Sequence, residues 1–380
     1  MARYSVIIPT RNRPDTLRWS IQTALAMKGD VEVVVQDNAG GADTQAVIDA
    51  IDDPRLVRSR TDVPLPMSEN WEQALDRCTG EWVHVIGDDD GMMPGACTFM
   101  DRLLSQVPEA EVVTWSPHTY WWPDCIVGYN RNRLYVRMPG VTGWQSARRV
   151  EQAYFGLRVG WDALPMIYNS FVHRSVIERV RKKAGAYFPT MAPDVFSGMA
   201  NLWAVDRFVR AGSALSIRGT SRHSIGVAYL YPQLAPAVAQ QFTTESIAGR
   251  PMHSSLIDSD HTQILLANEQ CMAHILLHDE RPDYALPVAQ LLHNLLAQVN
   301  APAVDYAATL DAAIRLAARH GVALPPDMIP ARALRPEPVV TNGLQVDADG
   351  KPVLLRIDGE LAGLRNILDA CRLTAAVDGG

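Results

Sequence analysis

The sequence predicts an α/β fold built on a mostly parallel sheet flanked by helices, with a mainly helical C-terminal extension, and three observations predict it. Apolar, β-branched runs alternate with helically periodic segments through the first hundred residues. Polar clusters at residues 10–13, 37–38 and 88–90 follow the first, second and fourth of those runs. Beyond about residue 250 the periodicity becomes almost wholly helical. Sheets of this kind bind ligands beyond the carboxyl ends of their strands, so the three polar clusters are expected to share one crevice.

Residues 4–9 form a first strand, and the polar loop after it reaches Pro14, a residue suited to the first turn of a helix. That helix is expected over residues 16–27, with Leu17, Ile21, Ala24 and Leu25 facing the sheet. A second strand at 31–35 is closed by Gln36, Asp37 and Asn38, and a second helix at 43–51 ends near Pro54. A third strand follows at 56–59, then a helix at 68–77 and a fourth strand at 82–86 that runs into Asp88, Asp89 and Asp90. From residue 115 to 161 the periodicity weakens and five of the nine tryptophans accumulate, which reads as loops and antiparallel strands. Helices are then expected at 197–210, 261–277, 284–298 and 304–320. A proline-rich linker at 325–338, a hairpin turning at Asp349-Gly350 and a last helix at 361–373 complete the chain.

Hydrophobic residues make up 47% and charged residues 20%, the composition of a globular protein with a real interior. A net charge of −7 speaks against nucleic-acid binding, which needs concentrated positive charge. The basic cluster Arg179, Arg181, Lys182 and Lys183 reads as a solvated helix face, with peripheral membrane contact as its other use. No stretch reaches the roughly 18 apolar residues of a membrane span, and the N-terminus lacks the apolar core of a signal peptide. Five cysteines, odd in number and without a CxxC pair, point to a reducing cytoplasm, with the cytoplasmic face of the membrane as an alternative station.

Three consecutive carboxylates after a buried strand repel one another and call for a counter-charge. A divalent cation such as Mn²⁺ or Mg²⁺ supplies it: such ions take hard oxygen ligands and use one or two carboxylates together with substrate phosphates. Asp-Asp-Asp-Gly is also the composition of a solvated turn. The segments VIIPTRNRPDTL, EVVVQDNA and MSENWEQALDRCTGEWVHVIGDDDGMMPGA decide between these readings, because in order and spacing they resemble the donor-binding half of family 2 glycosyltransferases of the GT-A fold. The resemblance covers about residues 3–105.

It implies an inverting, DxD-type, metal-dependent transfer from a nucleotide diphosphate sugar, most often UDP- or dTDP-linked, to a hydroxyl on a carbohydrate or glycoconjugate acceptor. It also implies residue roles. Pro9, Thr10, Asn12 and Arg13 border the nucleotide, Asp37 accepts a hydrogen bond from the base, and Ser68 and Asn70 line the same pocket, although helix-capping duty suits these two equally. Asp88 and Asp89 lie near ribose and diphosphate, and Asp90 is the principal metal ligand. Gln36 departs from the pattern, since many members carry an aspartate there, and leaves the base to Asp37.

A base must remove the acceptor hydroxyl's proton, and the family places it before a helix in the second half of the domain. Asp194 has that place, with helix capping as its alternative use. Asp162 falls in the aromatic region and Asp206 inside the expected helix. The stretch RGTSRHSIG resembles the loop that closes over the diphosphate, so Arg222 is expected on phosphate and His223 on metal. The pair His274 and His278 reads as a helix face. Trp121 and Trp122 are expected on the acceptor side, where ring faces suit sugars.

The chain is thus expected to divide into a catalytic domain at 1–250, with a nucleotide-binding half at 1–105 and an acceptor half at 106–250, and a mainly helical region at 251–380 through which a homodimer could form. Bacterial surface polysaccharide or glycoconjugate synthesis is the expected setting. Two other functions share the crevice: nucleotidyl transfer onto a sugar phosphate, which would want a glycine in the first loop, and a non-catalytic carbohydrate-binding or scaffold role, which would need no metal.

Overall fold

The computed structural model describes residues 2–231, 234–247, 252–279, 285–301, 304–333 and 336–377. Strand β1 (Tyr4–Thr10), helix α1 (Pro14–Leu25), β2 (Val31–Asp37), α2 (Ala42–Asp49), β3 (Leu56–Arg60), α3 (Met67–Arg77) and β4 (Trp82–Val85) repeat the strand-helix unit in the expected order. Then come β5 (Gly91–Met92), α4 (Ala96–Gln106), β6 (Val112–Thr114), β7 (His118–Trp121), β8 (Arg133–Arg137), β9 (Gly143–Ser146), α5 (Ala147–Phe155), β10 (Ser170–His173) and α6 (Arg174–Ala184). Helix α7 (Pro193–Ala204), β11 (Arg207–Arg210), β12 (Ser216–Thr220), α8 (Ile225–Leu230) and α9 (Pro236–Phe242) close the first part. The remainder comprises α10 (Thr262–His278), α11 (Val288–Gln298), α12 (Tyr306–Arg319), β13 (Gly343–Val346), β14 (Pro352–Asp358) and α13 (Ile367–Val377).

The strands form an eight-stranded sheet, β3-β2-β1-β4-β10-β6-β11-β9, and a six-stranded one, β13-β14-β8-β7-β12-β5. In the first, β3, β2, β1 and β4 are parallel. Alternate residues of β1 feed two separate cores, Ile7 on one face and Val6 and Ile8 on the other. Both faces of β1, β2 and β4 are covered, which is why these strands read as nearly continuous apolar runs, whereas the edge strand β3 is partly exposed. The register sets Thr10 beside Asp37 and Ile7 beside Val85, so the carboxyl ends of β1, β2 and β4 finish side by side. The second sheet begins one residue after the aspartates, at β5, and its neighbour β12 returns the chain to them.

Several elements differ from expectation. The helix expected at 197–210 ends at Ala204, because Phe208 and Val209 pair into the large sheet between β9 and β6 and are buried there. The second C-terminal candidate begins at Val288, after Pro287; its expected start at Tyr284 lies outside the described residues. The last helix begins at Ile367 and not at 361, because a turn with Gly363 at φ +71° precedes it. The boundary expected at residue 250 also lies outside the described residues.

The C-terminal hairpin forms as expected, with Gly350 at φ +77°, but it does not stand apart: β14 pairs with β8 and α13 packs on α1 and β5. The basic cluster of α6 is held by carboxylates, Arg179 by Glu111, Arg181 by Glu72 and Asp76, and Lys183 by Asp279. Among the described residues no helix is long and apolar enough to cross a membrane, and all five cysteines are free and buried.

Candidate active site

Asp88, Asp89 and Asp90 are each almost fully buried. A buried carboxylate is tolerated only when donors or charges satisfy it, and each finds a different set. Asp88 accepts from the Thr10 hydroxyl at 2.7 Å and from Arg13 Nη1 at 3.0 Å, which ties β4 to the loop after β1. Asp89 Oδ2 accepts from the Ser221 backbone N–H at 3.0 Å, the Ser221 hydroxyl at 2.8 Å and the Ser224 hydroxyl at 2.5 Å. Its carbonyl accepts from Trp122 Nε1 at 2.9 Å.

Asp90 is held by backbone. Its Oδ1 accepts from the Gly219 N–H at 2.6 Å and its Oδ2 from the Gly87 N–H at 2.7 Å, while its carbonyl accepts from the Ser20 hydroxyl at 2.6 Å. Gly219 is required at this approach, because a Cβ there would fall on the Asp89 carbonyl. Burial, with the charge of Asp89 added, pushes the Asp90 carboxyl up to about 7 against the pull of the Tyr168 hydroxyl and the two N–H groups. Burial likewise raises Asp88, against the pull of Arg13 and Thr10. The Tyr168 hydroxyl is raised well above its ordinary value by burial and then by Asp90 and Asp89.

The nucleotide-side residues implied by the resemblance divide into two sets. Thr10 and Arg13 join the aspartates directly. Asn12 takes a left-handed conformation at φ +57° and its Oδ1 accepts from the Gly41 N–H at 2.7 Å, which joins the loops after β1 and β2. Pro9 is half-buried at the end of β1, and Ser68 and Asn70 are buried in the first turn of α3. The Asn70 Oδ1 and both amide atoms of Gln36 are buried without a hydrogen-bonding partner.

Asp37 is not open to a base in this arrangement. It is fully buried, Gly40 N–H donates to its Oδ1 at 2.9 Å, and Arg60 lies 3.3 Å from Oδ2 and covers it. Burial raises its pKa. The expected pairing of Asp90 with His223 is not assembled either. Asp15, in the first turn of α1, captures that loop: His223 Nε2 accepts from Arg222 Nε at 3.0 Å and lies 3.2 Å from Asp15, and Arg222 pairs with Asp15 at 2.8 Å and Asp124 at 3.5 Å. The residues of RGTSRHSIG that do reach the aspartates are Gly219, Ser221 and Ser224.

Asp194 occupies the first turn of α7, whose N-cap is Ala192, so it is not the capping residue. It is half-buried, and burial raises its carboxyl above the ordinary range against the pull of the Val195 N–H. Asp194 adds to the aspartate run in raising the Tyr168 hydroxyl. Trp122 is a buried support for Asp89 and not an acceptor platform, whereas Trp121 is half-buried at the end of β7. His278 pairs with Glu151 at 3.0 Å and stacks on His274.

A metal is tested by the donors present. Asp89 Oδ1, Asp90 Oδ2 and the Tyr168 hydroxyl surround the space beside Gly87: they lie 3.1, 3.1 and 2.7 Å from where a Gly87 Cβ would sit. Two carboxylate oxygens and a hydroxyl are the hard donors that Mg²⁺ and Mn²⁺ take. Among the described residues no three His, Cys, Asp or Glu side chains form a cage, so an ion here would need ligands from a substrate. That is the ordinary habit of a phosphate-bound Mg²⁺.

The carboxyl ends of β1, β2 and β4, where α/β sheets carry their ligands, thus bring Thr10, Arg13 and Asp88 together. Residues 5–149 match the family model described as glycosyl transferase family 2. The chain is 31% identical over 115 residues to the O-antigen biosynthesis protein RfbC of Myxococcus xanthus, a match covering 29% of this chain and 9% of that protein. It is 30% identical over 106 residues to the succinoglycan biosynthesis protein ExoO of Rhizobium meliloti (28% and 29% covered). It is also 30% identical over 107 residues to a GalNAc(5)-diNAcBac-PP-undecaprenol beta-1,3-glucosyltransferase of Campylobacter jejuni (25% and 32% covered). The chain therefore spans a third or less of the length of these relatives. Among solved structures it is similar to S. aureus TarS 1–349 in complex with UDP-GlcNAc, at a TM-score of 0.47 and 15% identity, with 84% of this chain and 92% of that chain covered.

Proposed function

We propose that the protein is an inverting glycosyltransferase that moves a sugar from a nucleotide diphosphate donor, UDP- or dTDP-linked, to a hydroxyl of a carbohydrate or glycoconjugate acceptor in bacterial surface polysaccharide synthesis. The observation that carries this reading is the coincidence of the family match over residues 5–149 with the crevice formed by Thr10, Arg13 and Asp88 to Asp90. The names of the relatives, which concern O-antigen, succinoglycan and a lipid-linked glycan, support the setting. The free cysteines suit a reducing compartment.

In this reading the nucleotide lies along Pro9, Thr10, Asn12 and Arg13, with Ser68 and Asn70 on its far side. Displacement of the half-exposed Arg60 opens Asp37 to the base. Asp194 takes the acceptor proton while the freed oxygen attacks the anomeric carbon opposite the leaving group. The bond from that carbon to the diphosphate breaks, and the nucleotide diphosphate departs with the electron pair. A raised pKa suits Asp194 to this work, because a stronger base takes the proton more readily. Asp89 and Asp90, with the donor phosphates, would hold Mn²⁺ or Mg²⁺, which supplies Lewis-acid stabilisation of the leaving diphosphate. Arg222 reaches the phosphates only after leaving Asp15 and Asp124.

The test is a panel of UDP-, dTDP- and GDP-sugars, scored for Mn²⁺-dependent thermal stabilisation and slow hydrolysis with the native protein and Asp90→Ala. One donor bound and cleaved only with metal and Asp90 is the expected result. Metal-independent cleavage would remove the ion from the reading, and no binding by any donor would leave only a shared fold.

A further inference from the structure

Away from the aspartates, three arginines from separate strands gather at two short segments, residues 115–118 and 161–163. Arg210, at the end of β11, donates from Nη1 to the Ser116 hydroxyl at 3.1 Å and from Nη2 to the Ala163 carbonyl at 3.5 Å. Arg137, at the end of β8, donates from Nε to the Pro117 carbonyl at 2.9 Å. Arg218 in β12 pairs in register with Thr119, and its guanidinium carbon lies 5.7 Å from the centre of the Trp161 ring.

Among the described residues none of the three has a carboxylate within 4.0 Å. Arg13, Arg60, Arg179 and Arg181 all do. Burial, then repulsion from Arg218 and Arg210, lowers the pKa of Arg137, and Asp162 is the one nearby carboxylate that opposes it. Their hydrogen-bond and ring partners are a hydroxyl, two carbonyls and a ring, all neutral, and Asp162 is the one carboxylate whose charge reaches Arg137 and Arg210, so positive charge is in excess. Guanidinium forks held together without a counter-anion favour an incoming oxyanion, and phosphate matches them in geometry and charge.

Two further observations connect the cluster to chemistry. Arg218 immediately precedes Gly219, whose N–H holds Asp90, and side chains alternate along a strand, so the arginine lies across β12 from the aspartates. Trp161, half-buried, lies with its ring near the Arg218 guanidinium, and aromatic faces of this kind suit a sugar.

We infer that Arg137, Arg210 and Arg218 bind a phosphate carried on the carbohydrate acceptor, with acceptor sugar against Trp161. The inference rests on the transferase reading, since it assigns the acceptor's chemistry. The phosphate comes either from a lipid diphosphate that anchors a growing glycan or from a phosphodiester within a polymer.

The test is calorimetry on the full chain with saturating UDP, so that the donor crevice is filled. Three probes are titrated: a farnesyl-diphosphate-linked N-acetylglucosamine, an oligo(glycerol phosphate), and uncharged octyl glucoside. One phosphorylated probe should bind at least tenfold tighter than octyl glucoside, weaken with added salt, and identify the source. Arg210→Gln and Arg218→Gln should each weaken that probe at least tenfold and leave UDP affinity unchanged. Arg218→Lys should restore part of the loss, which a purely structural role would not show. Equal binding of charged and uncharged probes, or full binding by both Gln variants, would overturn the phosphate site. Failure of UDP itself to bind would instead overturn the transferase reading.

Discussion

At the ends of β1 and β4 the three carboxylates of residues 88–90 each have protein donors within 3.0 Å, whereas across β12 three arginines stand without a carboxylate within 4.0 Å. The aspartates are buried and saturated by groups from loops that the sheet register brings together. The arginines are partly exposed and held only by neutral acceptors. One region spends its hydrogen bonds on its own rigidity. The other leaves three guanidinium groups without a direct ion pair among the described residues. Preorganised polar groups favour a fixed reaction geometry, and uncompensated charge favours capture of an ion.

The largest expected effect falls at Asp194, in the first turn of α7. Asp194→Asn is expected to lower transfer about 10²- to 10⁴-fold, the usual range for a lost general base, while nucleotide binding stays unchanged by calorimetry. Retained turnover would remove Asp194 from the chemistry.

The next effect sharpens the saturated side. A carboxyl raised to about 7 in the folded state, against an ordinary 3.8, binds its proton more tightly folded than unfolded. Its stabilising contribution is therefore fully present below about pH 4 and lost as pH rises through 7. Metal-free protein should lose up to about 4 kcal/mol of stability over that window through Asp90, at about 1.4 kcal/mol per pKa unit. Asp90→Asn should flatten the slope in melts collected from pH 4 to 8, and an unchanged slope would assign it elsewhere.

Gly219→Ala comes third. A methyl that meets the Asp89 carbonyl must displace backbone, an overpacking cost of about 1–3 kcal/mol, visible as a lower melting temperature together with weaker Mn²⁺ stabilisation. The smallest effect separates the two tryptophans. Trp122→Phe removes one hydrogen bond to Asp89 and should cost about 1 kcal/mol of stability. Trp121→Ala should raise the acceptor KM several-fold and leave the melting temperature within a degree or two.

Much of the saturated side was legible in the sequence. Strands β1 to β4 and their helices were found within a few residues, because β1, β2 and β4 are buried on both faces and read as nearly continuous apolar runs, with helically periodic segments between them. Thr10, Arg13 and the aspartates were found because strand ends in such folds are ligand sites. Ser221 and Ser224 were passed over in favour of Arg222 and His223: charge and imidazole stand out in a sequence, but Asp15 captures both. Tyr168 carried no local signal, since it lies within a short 3₁₀ turn, and Trp122, just past a strand of the aromatic-rich region, reads in the sequence as an acceptor platform and not as a support for Asp89. Arg207 to Arg210 were read as helix because pairing with β6 and β9 is invisible to local periodicity.

What the sequence determined by itself, then, is the alternation of strands and helices in the first hundred residues and the chemical character of the loops between them. Both follow from short-range physics: side-chain periodicity, turn residues and the cost of consecutive like charges. Only the tertiary structure decided that the Gly219 N–H holds Asp90, that α13 closes behind β5, and that Arg137, Arg210 and Arg218 meet. Most of those contacts join residues far apart in the sequence, and the two sheets that bring them together are assembled from strands whose pairing no local pattern encodes.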